Sequence, residues 1–480
     1  MKIISLQMKS NNIFTLCMWI LILEYSLYFI TDNRIDKLIK ITALVIAVFI
    51  VWRNKPRLSR DDIQLVMLVY GFIFCAMIPS LIELNPVGLY QGVKFLVMAT
   101  ILPLLLLGVK NIRINTNIYV LSGALFAIQA IFSFIFIFFY SPEILNYINI
   151  DRQPGLIERS LGILGYANAI NTPIDNIWLY RAQGWFLEPS IFGAFLLFPI
   201  FTCYAFALGN NKLIFRIAMP VIALAFFISF SLACYLALLG GILFYILSKP
   251  LSNFLKSTGI PQYFYLILIL ILWIIMSYGI TLGFNKMSVL NKAIVNKLIL
   301  EEKYNNPKLK PSLLEVVSVS ITKVFSKNVN EPSGNLIREQ GRLQDLKVKS
   351  QNTFKSQNTF MRNIVGEGLE NTSHTSESTS ANGLFFWFNA GGLLSILIIL
   401  FLSVIVFIRN CHPLLVGEGI IGRVMAASLI ANSMHNLSYG NFLAPYFLAN
   451  LALVVIYSRR KEYSAHRLES RNQRVLDCPV

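Results

Sequence analysis

Long apolar runs, separated by short polar breaks, repeat along most of this chain, and their length is its most informative property. A helix needs about 20 apolar residues to cross a hydrocarbon core of roughly 30 Å. Runs of that kind predict about twelve membrane spans by a hydropathy reading. They centre near Trp19, Val45, Tyr70, Val97, Ile128, Phe198, Leu224, Leu239, Leu270, Ile396, Leu429 and Ala449. Stretches such as YFYLILILILWIIMSYGI show no alternation of period two, so the spans read as helices and not as barrel strands. The expected fold is all-α, a polytopic membrane protein. Its first run, from about Asn12 to Ile30, follows Lys2 and Lys9 without a small-residue cleavage site and reads as a retained signal anchor. The closest pair of runs, around Leu224 and Leu239, is divided only near Ser229 to Ala233.

The polar breaks set the orientation. Lys and Arg concentrate in cytoplasmic loops near helix ends. RNKPRLSR, VKNIR, NNKLIFR, LSKP, IRN and SRRKEYSAHR follow the even-numbered spans from the second to the twelfth, so all fall on one side. Both termini are then expected in the cytoplasm. The chain divides into N-terminal spans (1–140), a first large outer loop (141–188), spans six to nine (189–282), a second large outer loop between spans nine and ten (283–383), spans ten to twelve (384–458) and a cytoplasmic tail (459–480). The lysines of the second loop do not oppose this topology, because long loops translocate largely regardless of charge. That loop holds two amphipathic stretches, LNKAIVNKLILEEKY and PSLLEVVSVSITKVF, expected as short helices on the membrane face. It also holds a tandem KSQNTF, which reads as a tolerated insertion.

Composition agrees with this picture. Of 480 residues 56% are hydrophobic and 14% charged, which excludes a soluble globular enzyme of this length. The net charge of +17 is accounted for by topology before any nucleic acid is invoked, and none is expected as a partner. The six cysteines, at 17, 75, 203, 234, 411 and 478, lie in apolar runs or cytoplasmic segments, so no outer-loop disulfide is expected. Four scattered histidines, with no HExxH and no Cys/His cluster, predict no metal, and no P-loop is present.

Candidate chemistry concentrates where polar loops meet spans. RAQGWFLEPS sets Arg181 and Glu188 at the mouth of the sixth span. Gly184 permits a turn or close backbone approach, Glu188 precedes Pro189 at the first helical turn, and Ser190 is placed to assist the cap. A helix start favours anionic groups, and an arginine fork grips phosphate or carboxylate. Mutual pairing of Arg181 and Glu188, or anchoring at the interface, stays open beside that reading. SGNLIREQGRLQDL in the second loop places Arg338 and Arg342 four apart, on one face if helical. Two guanidiniums can neutralise a diphosphate without a metal; a solvated charge run is the plainer alternative. The segment from Gly366 to Gly392 carries a GEG turn (Gly366, Gly368), a Ser/Thr tract with His374, and Asn382 before the glycine pair Gly391 and Gly392, which can equally mean tight helix packing. Intramembrane Glu24, Lys94 and Arg423 are expected in structural roles, Glu24 with Lys94 as an ion pair, and His435 as an interfacial hydrogen-bonded histidine; a water-filled cavity faced by Glu24, Lys94 and His435 is the alternative.

The succession RAQGWFLEPSIFGAF, then FFISFSLACYLALLGG, then SGNLIREQGR in a large outer loop, then VGEGLENTSHTSESTSANGLFFWFNAGGLLSILI resembles the O-antigen polymerase and ligase superfamily. The likeness runs roughly from Arg181 to Leu400. It implies a metal-independent glycosyltransferase, without cofactor, on the outer (periplasmic) face of a bacterial inner membrane. Such an enzyme uses glycan carried on undecaprenyl diphosphate, alongside a flippase and a chain-length regulator as partners. By motif position the arginines engaging the diphosphate are Arg181 and Arg338, with Arg342 the alternative to Arg338, and Glu188 is the carboxylate placed to serve the acceptor hydroxyl. Gly184, Gly366, Gly368, His374 and Asn382 complete the expected substrate-binding set. The ligase branch shows His-Asn, nine residues, then Gly; here Ala381, Asn382 and Gly392 stand at that spacing and the histidine is missing. That departure points to a Wzy-type polymerase making O-antigen, capsule or exopolysaccharide, with His374 keeping the ligase alternative. A flippase or other transporter is the reading from another class, weakened by the lack of paired repeats.

Overall fold

The computed structural model describes residues 2–23, 33–140, 156–160, 166–172, 177–257, 364, 369 and 383–476, apart from positions 110, 187, 210–212, 230, 418 and 439–441. The expected span at Leu270, and the second outer loop with its amphipathic stretches and KSQNTF repeat, lie outside the described residues.

Helices make up the membrane part. They are α1 (Lys2–Ile22), α2 (Asn33–Asn54), α3 (Arg60–Ile82), α4 (Pro86–Ala99), α5 (Ile101–Gly108), α6 (Ile112–Tyr140), α7 (Pro189–Gly209), α8 (Leu213–Ile228), α9 (Leu232–Ser257), α10 (Gly383–Val406), a π-turn (Phe407–Cys411), α11 (His412–Val416), α12 (Ile420–Ser438) and α13 (Pro445–Leu476). Among the described residues six stretches are long and apolar enough to cross a membrane: Arg60–Ile82, Pro86–Gly108, Ile112–Phe136, Pro189–Ala207, Ala233–Pro250 and Trp387–Val416. The chain is therefore a helical membrane protein. The other expected centres, Trp19, Val45, Leu224, Leu429 and Ala449, also fall in helices but outside those six. Their sequences explain why. α8 has only 16 residues, α2 begins with Arg34, Asp36, Lys37 and Lys40, and α12 carries buried asparagines. Polar residues are tolerated in such helices where the rest of the bundle covers them.

Local chemistry marks the helix ends. At α3, Ser59 Oγ accepts from the Asp62 amide at 3.2 Å while Asp62 Oδ2 accepts from the Ser59 amide at 3.1 Å, a capping box that satisfies two donors. Asn85 Oδ1 caps α4 by accepting from the amides of Val87 (3.0 Å) and Gly88 (3.3 Å), with Pro86 at the first helical position. The break expected between Leu224 and Leu239 is real: α8 ends at Ile228 and α9 begins at Leu232.

The core is aromatic. Tyr119 on α6 is fully buried, stacks on Phe198 of α7 at 4.6 Å, meets Trp19 of α1 edge-on at 5.1 Å, and donates its hydroxyl to the Tyr446 carbonyl at 3.2 Å. On the other side Trp387 of α10 is fully buried, edge-on to Phe72 of α3 at 4.8 Å. The glycine pair has a packing role: Gly392 has φ +61 and kinks α10, and a side chain at Gly391 would press on Ala76 Cα of α3 at 2.9 Å.

The segment between α6 and α7 departs from an all-α chain. Strands β1 (Leu156–Ser160), β2 (Tyr166–Thr172) and β3 (Ile177–Arg181) form an antiparallel meander in the order β1-β2-β3, with Asn168 opposite Arg181. Short runs such as IWLYR, rich in aromatic and β-branched residues, suit strands. The helical period that dominates the rest of the chain masks them.

Candidate functional site

The decapeptide from Arg181 to Ser190 begins as the last residue of β3 and ends in the first turn of α7, so both of its charged residues are set by element ends. Arg181 donates from Nε to the Ser229 carbonyl at 3.2 Å, and the next amide, Ala182, donates to the Ile228 carbonyl at 2.9 Å. Those two carbonyls belong to the end of α8, which lacks intrahelical donors and carries partial negative charge. A guanidinium there both caps the helix and is itself oriented.

The chain then turns sharply. Gln183 is buried and donates from Nε2 to the Phe186 carbonyl at 3.1 Å, while the Phe186 amide donates to the Gln183 carbonyl at 3.1 Å. Gly184 adopts φ +56, and a Cβ there would run into the Gln129 side chain of α6 and come within 3.2 Å of Ala130 Cβ. Close backbone approach, one of the two roles expected for this glycine, thus coincides with the turn. Phe186 closes the inner side, fully buried with ring centroids 5.5 Å from Phe126 and 5.1 Å from Phe195.

Glu188 sits just before Pro189, half-buried, and its carbonyl accepts from the Phe192 amide at 3.0 Å as α7 starts. Ser190 donates its hydroxyl to Glu188 Oε2 at 3.1 Å, and the Ser190 carbonyl accepts from Cys234 Sγ of α9 at 3.2 Å. The expected assistance of Ser190 at this end is present, directed at the carboxylate. Arg181, Gly184 and Glu188 therefore stand on one short segment wedged between α6, the end of α8 and the start of α9. This arrangement can hold an anion-binding guanidinium and a hydrogen-bonded carboxylate at one helix entrance. Arg338, Arg342, Gly366, Gly368, His374 and Asn382 lie outside the described residues.

No family model, curated protein or solved structure matches this chain.

Of the other charges expected in the membrane, Arg423 has a structural role. Arg423 donates from Nη2 to the Tyr245 carbonyl at 2.7 Å and lies 4.4 Å from the centroid of the Tyr245 ring, a cation–π contact. Lys94 is exposed, and Glu24, its expected partner, lies outside the described residues. His435 is fully buried, with Nδ1 at 3.4 Å from Asn436 Oδ1, which corrects an interfacial placement: packing of α12 against its neighbours takes the ring out of contact with solvent. Gln129 and Ser229, which shape the segment from outside it, carry no charge or motif that singles them out in the sequence.

Proposed function

We propose that this chain is a metal-independent glycosyltransferase. In this reading it is a polymerase that joins oligosaccharide repeat units carried on undecaprenyl diphosphate. It acts at the outer face of a bacterial inner membrane, with about twelve spans and both termini in the cytoplasm. The observation that carries this reading is the joint fixing of Arg181 and Glu188 at one helix entrance, the guanidinium by the Ser229 carbonyl and the carboxylate by Ser190.

The chemistry needs both. Glycosyl transfer from a lipid diphosphate develops negative charge on the leaving group and requires the acceptor hydroxyl to lose its proton. An arginine stays charged at any working pH and serves the first need; Glu188 serves the second.

Support for the topology comes from the two ends of α9. Near one end Cys234 contacts Ser190 of the decapeptide; near the other Ser248 donates to the Leu415 carbonyl at 3.4 Å, beside the π-turn that carries Arg409. Fourteen residues at 1.5 Å each separate these levels by about 21 Å, on the order of a hydrocarbon core. At the second end the basic segments meet acids: Arg409 pairs with Asp61 at 2.9 Å and Arg459 with Asp62.

The test is surface-glycan length in a deletion strain complemented with wild type, Arg181→Ala, Arg338→Ala or Glu188→Gln. A polymerase leaves single capped repeat units when lost, and each variant should do the same. Long lipid-linked polymer after deletion would mean a ligase, and repeat units held on the cytoplasmic leaflet a transporter. Normal chain length with Glu188→Gln would remove it as the base, and full activity of Arg181→Lys would rule out a bidentate grip.

A further inference from the structure

α12 carries a row of polar side chains in an otherwise apolar core. Ser428, Asn432, His435 and Asn436 follow one another at helical spacing, share one face and are fully buried, as is Asn450 on α13. Ser428 donates to Asn450 Oδ1 at 3.3 Å, which brings the two helices together at the row's lower end. Other atoms of the row have no hydrogen-bond partner among the described residues: both Oδ1 and Nδ2 of Asn432, Nδ2 of Asn436 and Nδ2 of Asn450. Buried amides without partners are costly, and within a membrane there is no bulk water to relieve them. A small hydroxyl placed among them would relieve that cost.

The row's upper end lies at the level of the decapeptide. Gly241 of α9 packs against the Ala427 carbonyl and Ala431 Cβ, both within 2.9 Å of where its Cβ would stand. α9 and α12 run antiparallel, since Tyr245 meets Arg423 further down. Seven residues up α9 from Gly241 is Cys234, which touches Ser190. The same climb of about 10 Å on α12, at 1.5 Å per residue, reaches His435 and Asn436. The opposite face of α12 is different: Ile430, roughly half a turn round from Asn432, lines an apolar cleft together with Ile399, Leu402 and Leu451. One helix thus separates an apolar cleft from a polar row that descends from the candidate site.

We propose that Asn432, Asn436 and Asn450 form a binding site for neutral hydroxyl groups, supplied by water or by the sugars of a glycan, that leads down from the outer mouth. Amides donate and accept in equal measure and carry no charge, so they match hydroxyls and give no compensation to an ion. The glycan source rests on the function proposed above; the water source does not.

Thiol accessibility tests the proposal in the full-length protein, in cells, with the native cysteines replaced. Asn436→Cys, Asn432→Cys and, as the apolar control, Ile430→Cys are treated from outside with a small, permanently charged methanethiosulfonate. Remaining free thiols are then counted with a maleimide after denaturation. Asn436→Cys and Asn432→Cys should lose their free thiol while Ile430→Cys keeps it. Asn432→Ser, smaller and still polar, should preserve expression and leave labelling at Asn436→Cys intact, which controls for misfolding. Repeating the labelling in cells unable to begin lipid-linked glycan synthesis separates the sources. Faster loss of thiol there identifies glycan as the occupant, and an unchanged rate identifies water. No loss at either position in well-expressed protein, or equal loss at all three, would overturn the site. Failure of the polymerase reading would appear elsewhere, as normal glycan length with Arg181→Ala while labelling persists.

Discussion

Replacing Gly184 with alanine tests whether the decapeptide is held as described. Two costs are added by the new methyl group. The backbone at φ +56 is left-handed, which costs an L-residue about 1–2 kcal/mol relative to the right-handed form. The Cβ would also collide with the Gln129 side chain and approach Ala130 Cβ to 3.2 Å, and overpacking of this kind typically costs about 1–3 kcal/mol. The expected destabilisation is their sum, about 2–5 kcal/mol. Gln129→Ala separates the terms. It removes the colliding group together with the 3.0 Å hydrogen bond from Gln129 Nε2 to Ser133 Oγ, a loss of about 0.5–1.5 kcal/mol by itself. The double variant then keeps the backbone strain and loses most of the collision, so the cycle should show a favourable coupling of about 1–3 kcal/mol. Thermal inactivation of the purified protein in detergent, read as the fraction still monodisperse after heating, gives the order. Gly184→Ala should fail at the lowest temperature, with the double variant recovering part of the loss. A double variant no better than Gly184→Ala would refute contact with Gln129 as the cause, and a Gly184→Ala protein as stable as wild type would refute the turn itself.

The opposite end of the bundle gives two contrasting predictions. Asp62 is 2% exposed and paired with Arg459, so Arg459→Ala strands a buried carboxylate and should cost about 3–5 kcal/mol, largely recovered in Asp62→Asn/Arg459→Gln, measured by the same heating assay. Arg409 and Asp61 are 44% and 69% exposed; Arg409→Ala should therefore cost under about 1 kcal/mol, and a larger loss would mean that the π-turn depends on that pair.

Much of this architecture was legible because a membrane restricts what an apolar run can be. The break between α8 and α9, the start of α7 at Pro189 and the polar assistance of Ser190 follow from residue types whose local preferences and membrane context agree. Legibility failed where two physical demands compete. In the segment 156–181 the strands are short and sit between two spans, so IWLYR has no apolar run long enough to distinguish it from a connection. In α12 His435 is the conspicuous residue, because a titratable group in a membrane stands out. The neighbouring amides at Asn432 and Asn436 were hidden by the apolar average of the span. Four-residue spacing of uncharged polar residues within an apolar run was the available signal, since such a face must turn toward protein or water in a bilayer. Arg181 shows the same competition from the other side. Its charge marked it for chemistry, yet the carbonyls of Ile228 and Ser229 show that capping α8 and presenting a guanidinium use the same placement. For that reason loss of activity in Arg181→Ala has to be read beside its thermal stability. Under the proposed function an unfolded mouth and a missing diphosphate ligand would both stop chain growth, and only a variant that inactivates thermally like wild type isolates the second.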